Sequence, residues 1–289
     1  MSYGIASMTA ELRRVALRKP GVSIQQAEAK VWNYGPTFDK REVEAEHAAF
    51  TGLLESAGVE ILWMDGDDQG NADSVFTYDA SLVTPAGAIL MNPGKPLRAG
   101  EQFLHREFYD AQGIPVIGEI SGEGRAEAGD TLWLDEKNLA VGRGFRTNPA
   151  GVSQLESLLA PIGIEVHAFD LPVYNGAHAC LHLMSLVSLV NTRVAAVTLS
   201  LLPVGLYRLM RQMEFQLIDI SRDEFESSGT LSANILALAP GRCIMIDGYP
   251  DTRKALEAAG VQVTVFNGKA LCVGCEGGPT CMSRPVLRG

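Results

Sequence analysis

Residues 235–268 run ILALAPGRCIMIDGYPDTRKALEAAGVQVTVFNG, and the reading of this stretch decides the fold. ILALAPGRCIMIDGYP holds two short apolar runs about a Pro-Gly pair, so residues 235–250 are expected to form paired strands. DTRKALEAAG has helical spacing and closes on Gly260, and VQVTVFNG reads as a further strand. The expected order is strand, strand, helix, strand.

Working outward, the same order recurs. SVFTYDASLVTPAGAILMNP (74–93) is expected to form two strands about TPAG, followed by a helix in RAGEQFLHREFYDAQG (98–113). GDTLWLDEKNLAVGRG (129–144) resembles a hairpin, NPAGVSQLESLLAPIG (148–163) a capped helix, and IEVHAFDLP (164–172) a strand. At the start, LRRVALRKP is a strand, REVEAEHAAFTGLLESAG a helix ending at Gly58, and VEILWMD a strand. No low-complexity linker separates halves, so residues 1–289 are expected to form one α/β domain of repeated ββαβ units. A doubly wound dinucleotide fold fits less well, because no G-x-G-x-x-G follows a strand, and GEGRAEAG (122–129) carries two glutamates where a phosphate would sit.

The apolar stretch 181–210, LHLMSLVSLVNTRVAAVTLSLLPVGLYRLM, is broken by Asn191 and Arg193, too soon for a membrane span; it reads as a buried helix followed by a buried strand. The opening MSYGIASMTAELRRVALRKP lacks the apolar run of a secretory signal, which gives a cytoplasmic expectation. With 24 Lys and Arg against 34 Asp and Glu, the net charge of −10 argues against nucleic-acid or anionic-membrane partners and suits a small cationic substrate. Homo-oligomerisation is left open by composition.

Five cysteines, at 180, 243, 272, 275 and 281, are an odd number in a chain too large to need stapling, so free thiols are expected. Cys272-x-x-Cys275 with Cys281, and HACLH placing His178 and His182 on one helical face, would suit a zinc-binding interaction protein. Against this, there is no second C-x-x-C, and the H-x-x-x-H lacks the following glutamate of a metalloprotease. Cys272 in an apolar strand end is read as a buried small residue. Cys281 in GCEGGPTCMSRP (274–285) sits after two glycines and a proline that permit close approach and fix a loop, which suits a presented nucleophile. Taken singly, Asp73, Asp79 and Glu127 read as turn or surface acids, His182 as a core histidine, and Arg98 and Arg146 as solvated or ion-paired cations.

In order along the chain, DSVFTYD, EAGD, HLM and GGPTCMSRP, together with ALRKPG, NPGKPLR and VGRGFRTN, resemble the guanidino-modifying, or amidinotransferase-like, superfamily. That group includes dimethylarginine dimethylaminohydrolases and arginine deiminases, and the resemblance covers nearly the whole chain. It implies a five-bladed α/β propeller of ββαβ modules around a central active site, with neither cofactor nor metal. It also implies Cys281 as nucleophile, His182 as general acid and base, Asp73 in the histidine environment, and Asp79 and Glu127 as guanidinium-binding carboxylates. Arg98 and Arg146 match positions that hold a substrate carboxylate. Gly129 and Asp130 complete the second acidic motif, whose usual first glycine is Ala128 here.

The resemblance favours hydrolysis of a methylated arginine to citrulline and a methylamine. Arginine deiminases commonly continue their histidine segment as H-x-D, and Met184 stands at that place. Many dimethylarginine hydrolases carry an acid just before the site aspartate, and Tyr78 stands there instead, able to hydrogen-bond but not to supply fixed negative charge. Arginine, or another guanidino compound with water or an amine as acceptor, is therefore the alternative.

Overall fold

Fifteen strands sort into five three-stranded sheets in the computed structural model, which describes residues 2–177, 179 and 181–289. The sheet of residues 235–268 shows the plan. β12 (Leu236–Ala239) runs antiparallel to β13 (Arg242–Ile246), the helix Pro250–Ala258 crosses over, and β14 (Gln262–Phe266) returns parallel to β13. Three more sheets repeat it: β3 (Ser81–Thr84), β4 (Gly87–Leu90) and β5 (Val116–Glu119); β6 (Thr131–Trp133), β7 (Asn138–Arg143) and β8 (Glu165–Asp170); and β9 (Val187–Asn191), β10 (Val194–Val197) and β11 (Gln216–Asp219). Their crossover helices are Glu101–Gln112, Pro149–Leu159 and Val204–Gln212.

The fifth sheet is built from both ends of the chain. β1 (Leu12–Leu17) pairs antiparallel with β15 (Arg284–Arg288) and, after the helix Val43–Ser56, parallel with β2 (Glu60–Trp63). The result is the five-bladed α/β arrangement that the family resemblance implies, built from the repeated units read in the sequence. Within each sheet the burial has a direction. β3, β4, β6 and most of β9 and β12 are wholly buried, as strands covered on both faces must be, whereas β8 and β11 have exposed ends and half-buried middles and β5 is half-buried up to an exposed Glu119.

The Pro149 helix shows how local sequence sets an end. The Asn148 side chain accepts from Gly151 N at 2.8 Å while Pro149 occupies the first turn, where its missing N–H costs nothing. Stretch 181–210 departs from expectation: it forms a 3₁₀ turn (Leu183–Ser185), then β9 and β10, and only then a helix. A continuous apolar run carries no periodicity to separate helix from strand, and here the β-branched Val187, Val190, Val194 and Val197 belong to strands. His182 lies in no helix, and the helical face expected for it and His178 involves a residue outside the described ones; Cys180 lies outside them too. Cys272 lies in a π-helical turn, Lys269–Val273, and not at a strand end. Among the described residues, no helix is long and apolar enough to cross a membrane.

Candidate active site

The repeat explains how residues far apart in sequence meet. Asp79 lies just before β3, Glu127 before β6, His182 before β9, Asn234 before β12 and Cys281 before β15. Each thus lies on the segment leading into the first strand of its module, two to five residues ahead of it, and fivefold repetition brings these segments to one hub. There a narrow cavity of about 50 Å³ is lined by Asp79, His182, Asn234 and Cys281, with Asp73, Lys95, Arg98, Arg146 and Cys275 around them.

Glu127 is fully buried directly behind His182 and Arg146. Its Oε1 accepts from Gly94 N (2.9 Å) and Lys95 N (3.0 Å), and its Oε2 meets Arg146 Nη1 (3.1 Å) and His182 Nε2 (2.6 Å). Burial alone would push this carboxyl up, but the His182 hydrogen bond and the charges of Arg146, His182 and Arg98 outweigh it and hold it well below the usual carboxylate range. Facing an ionised carboxylate, His182 Nε2 carries its proton and donates it.

Asp79 is held as tightly. Its Oδ1 accepts from Gly129 N at 2.9 Å and its Oδ2 pairs with Arg98 Nη1. A Cβ at Gly129 would stand 2.6 Å from His182 Nδ1 and 2.7 Å from Asp79 Oδ1, so the absence of a side chain there lets acid and imidazole approach. Asp130, whose carboxyl burial pushes up to about 6, accepts from Leu183 N and fixes the turn behind His182.

The thiol comes from a loop laced to the other walls. Cys281 is partly exposed, and its Sγ accepts from Asn234 Nδ2 at 3.2 Å while Asn234 Oδ1 takes Thr280 N at 3.0 Å. The Cys281 carbonyl accepts from Tyr78 N at 3.0 Å, tying the loop to the Asp79 turn. A Cβ at Gly277 would meet the Phe76 ring at 2.5 Å, and one at Gly278 the Asn234 side chain at 2.5 Å, which is why paired glycines precede the thiol. Cys272 is fully buried, its thiol pushed well up by burial and then by Glu46; Cys275, near the cavity, is pushed up by burial and then Asp73. Both stay protonated where a nucleophile must ionise.

Other expected residues take different places. Arg98 is buried, with Nε and Nη2 on Glu101, Nη1 on Asp79 and Nη2 also on the Phe76 carbonyl at 2.9 Å. Of about five guanidinium N–H groups, most are spent inside the protein, so Arg98 positions Asp79 and presents no free fork to a substrate carboxylate. Asp73 receives Tyr34 Oη (2.8 Å) and Lys95 Nζ (2.6 Å), whereas the hydrogen bonds found for His182 go to Glu127 and Ser185. Tyr78 turns into the core, its ring under the Arg284 guanidinium at 3.9 Å and its hydroxyl toward Met8, and Met184 is buried; neither lines the cavity.

Asp79, Glu127 and His182 offer ligand atoms within 4.8 Å of one another. The Glu127 and His182 atoms already bond each other, and of the two expected guanidinium-binding acids Asp79 lines the cavity whereas Glu127 stands behind His182 with both oxygens engaged, so Asp79 is the acceptor placed to meet N–H donors on the edge of a planar guanidinium. Among the described residues no group of three metal-ligating side chains includes a cysteine; the Cys/His zinc arrangement also calls on His178, which lies outside them. Asn234 and Lys95 are the residues that sequence reasoning missed. Asn234 was within reach of the repeat itself, since it occupies the position of the other four.

The sequence model of eukaryotic N,N dimethylarginine dimethylhydrolases matches residues 24–246. An N(G),N(G)-dimethylarginine dimethylaminohydrolase of Streptomyces coelicolor is 30% identical over 234 residues, 78% of this chain and 81% of that protein. An arginine deiminase of Rhodococcus opacus is 26% identical over 293 residues, covering 88% of this chain and 68% of the relative. The solved structure of a cysteine-to-serine mutant of the Pseudomonas aeruginosa dimethylarginine dimethylaminohydrolase with citrulline superposes with a TM-score of 0.77 at 23% identity, over 96% of this chain and all of the other. That likeness carries the fold.

Proposed function

Since the chain belongs to the N,N-dimethylarginine dimethylhydrolase family, we propose that its 289 residues form one catalytic domain that hydrolyses a methylated arginine to citrulline and a methylamine. The observation that carries this reading is the meeting of Cys281, His182 and Asp79 at one cavity with Glu127 directly behind.

A guanidinium carbon is a poor electrophile because resonance spreads its charge. Asp79 orients it and favours the cationic form, Glu127 acts through His182 from behind, and the incoming positive charge stabilises the Cys281 thiolate. The thiolate adds to the carbon to give a tetrahedral adduct. The C–N bond to the methylated nitrogen breaks as the His182 imidazolium, stabilised by Glu127, gives that nitrogen its proton. The neutral amine leaves and a thiouronium cation stays on Cys281. His182, now neutral, takes one proton from the attacking water; collapse expels the thiolate and forms the ureido group, and the remaining proton passes through solvent to the more basic free amine. Phe76 and Leu231 give the cavity apolar surface that suits N-methyl groups.

The second reading is arginine itself, since the Rhodococcus opacus deiminase matches a larger share of this chain than the Streptomyces coelicolor hydrolase. Product release from arginine, monomethylarginine, asymmetric dimethylarginine, agmatine and guanidino acids under identical conditions tests both. Dimethylamine and citrulline as the fastest products support the proposal; ammonia from arginine as the fastest overturns it in favour of the deiminase.

A further inference from the structure

Lys95 links the two ends of the cavity. Its backbone N–H is anchored on Glu127, and Gly94 beside it is seated so closely that a Cβ would stand 2.6 Å from the Arg146 carbonyl oxygen. Its ammonium lies 2.6 Å from Asp73 Oδ2, donates to the Trp32 carbonyl at 3.2 Å, and sits 5.5 Å from the Trp32 ring centroid. The lysine is therefore rooted beside one acid and ion-paired to another.

The cavity is narrow, about 50 Å³, and the Lys95–Asp73 pair stands in its lining. The cations of that lining differ in how readily they can be re-aimed. Arg98 is locked by Glu101, Asp79 and the Phe76 carbonyl, whereas Lys95 has a flexible four-carbon stem and a point charge that re-aims without losing a planar fork.

We propose that Lys95 plugs the unliganded cavity and, on binding, moves its ammonium from Asp73 to the carboxylate of the incoming guanidino acid, so that Lys95 selects substrates that carry an anion. The inference rests on the guanidino-hydrolase reading above and deepens it. Asp73 is buried and the Lys95 side chain only 17% exposed, so separating them unassisted leaves two charges poorly solvated. A zwitterionic amino acid replaces both partners at once, its carboxylate taking Lys95 and its ammonium taking Asp73. Agmatine brings no anion and meets Lys95 with like charge. The carboxylate-binding role that the motifs give to Arg98 passes in this chain to Lys95, beside Arg146.

The test compares kcat/KM for the best carboxylated substrate with that for agmatine, in wild type and Lys95→Met. The expected result is a fall of about 10- to 100-fold in the carboxylate preference, carried by KM. Lys95→Gln repeats the measurement if Lys95→Met melts early. A second readout is independent of turnover: the rate of Cys281 alkylation by iodoacetate relative to iodoacetamide is expected to drop several-fold in the variant. An unchanged substrate preference with wild-type turnover intact overturns the role of Lys95 and leaves the hydrolase reading standing. Wild type that turns over no guanidino compound removes that reading, and this inference with it.

Discussion

The two sides of the cavity are built differently. On the acid side, Asp79 and Glu127 are buried, and each receives donors from backbone and arginine alike. On the thiol side, Cys281 is partly exposed on a loop positioned by glycine contacts and by Asn234. The acid side is part of the core, so in the proposed reaction its residues would carry stability and chemistry together. The thiol side would carry chemistry with little of the fold resting on the sulfur.

The sharpest way to break this contrast is Cys281→Ser. Turnover is expected to fall by more than about 10³-fold, since a neutral hydroxyl replaces the thiolate, while the thermal midpoint moves little. In a quenched wild-type reaction the adduct should map to Cys281. Persistent turnover in the serine variant, with labelling at Cys272 or Cys275, would reverse the assignment.

Glu127→Gln addresses the other side. It weakens the hold on the His182 imidazolium and should lower kcat by about 10²- to 10⁴-fold, with a lower melting temperature as well. Because the folded-state carboxyl is held below its unfolded value, its stabilising contribution is present above the ordinary carboxylate range and is lost only as pH falls through the depressed folded value. Melting curves down to mildly acidic pH should therefore show that contribution in wild type and lack it in Glu127→Gln. A variant that loses activity but melts like wild type at every pH would show that Glu127 does not carry the fold.

Arg98→Met is expected to act mainly on stability. It strips the cation from buried Asp79 and Glu101 and should cost about 3–5 kcal/mol in urea unfolding. A soluble, fully stable variant with selectively raised KM for carboxylated substrates would restore Arg98 as a substrate clamp. The smallest effects belong to Cys272→Ser and Cys275→Ser, each expected within about threefold of wild-type turnover where folding is intact, since neither supplies the ionised nucleophile. In native protein near pH 8 both thiols should resist alkylation while Cys281 reacts, and both should label on unfolding.

The module rhythm was legible at 235–268 because a Pro-Gly turn and a helix-ending glycine punctuate it. Stretch 181–210 was not, because unbroken apolar residues satisfy helix and strand alike. Cys281, His182, Asp79 and Glu127 announced themselves through ordered motifs. Arg98, read singly as a solvated or ion-paired cation, is ion-paired, and Arg98-x-x-Glu101 is a spacing at which partners meet within one turn; its pairing with Asp79 is a tertiary property that no local spacing carries. Lys95 carried no flag, since a lysine after Asn-Pro-Gly reads as an ordinary loop residue until its neighbours in space are known. Asn234 lacks a reactive group, and only its place in the repeat distinguishes it.

β15 fastens the last blade to the first, and the loop that immediately precedes it delivers Cys281. Closing the ring and arming the thiol are therefore one event. Whatever loosens the β1–β15 pairing is expected to reach the loop that carries Cys281 as well as the sheet itself.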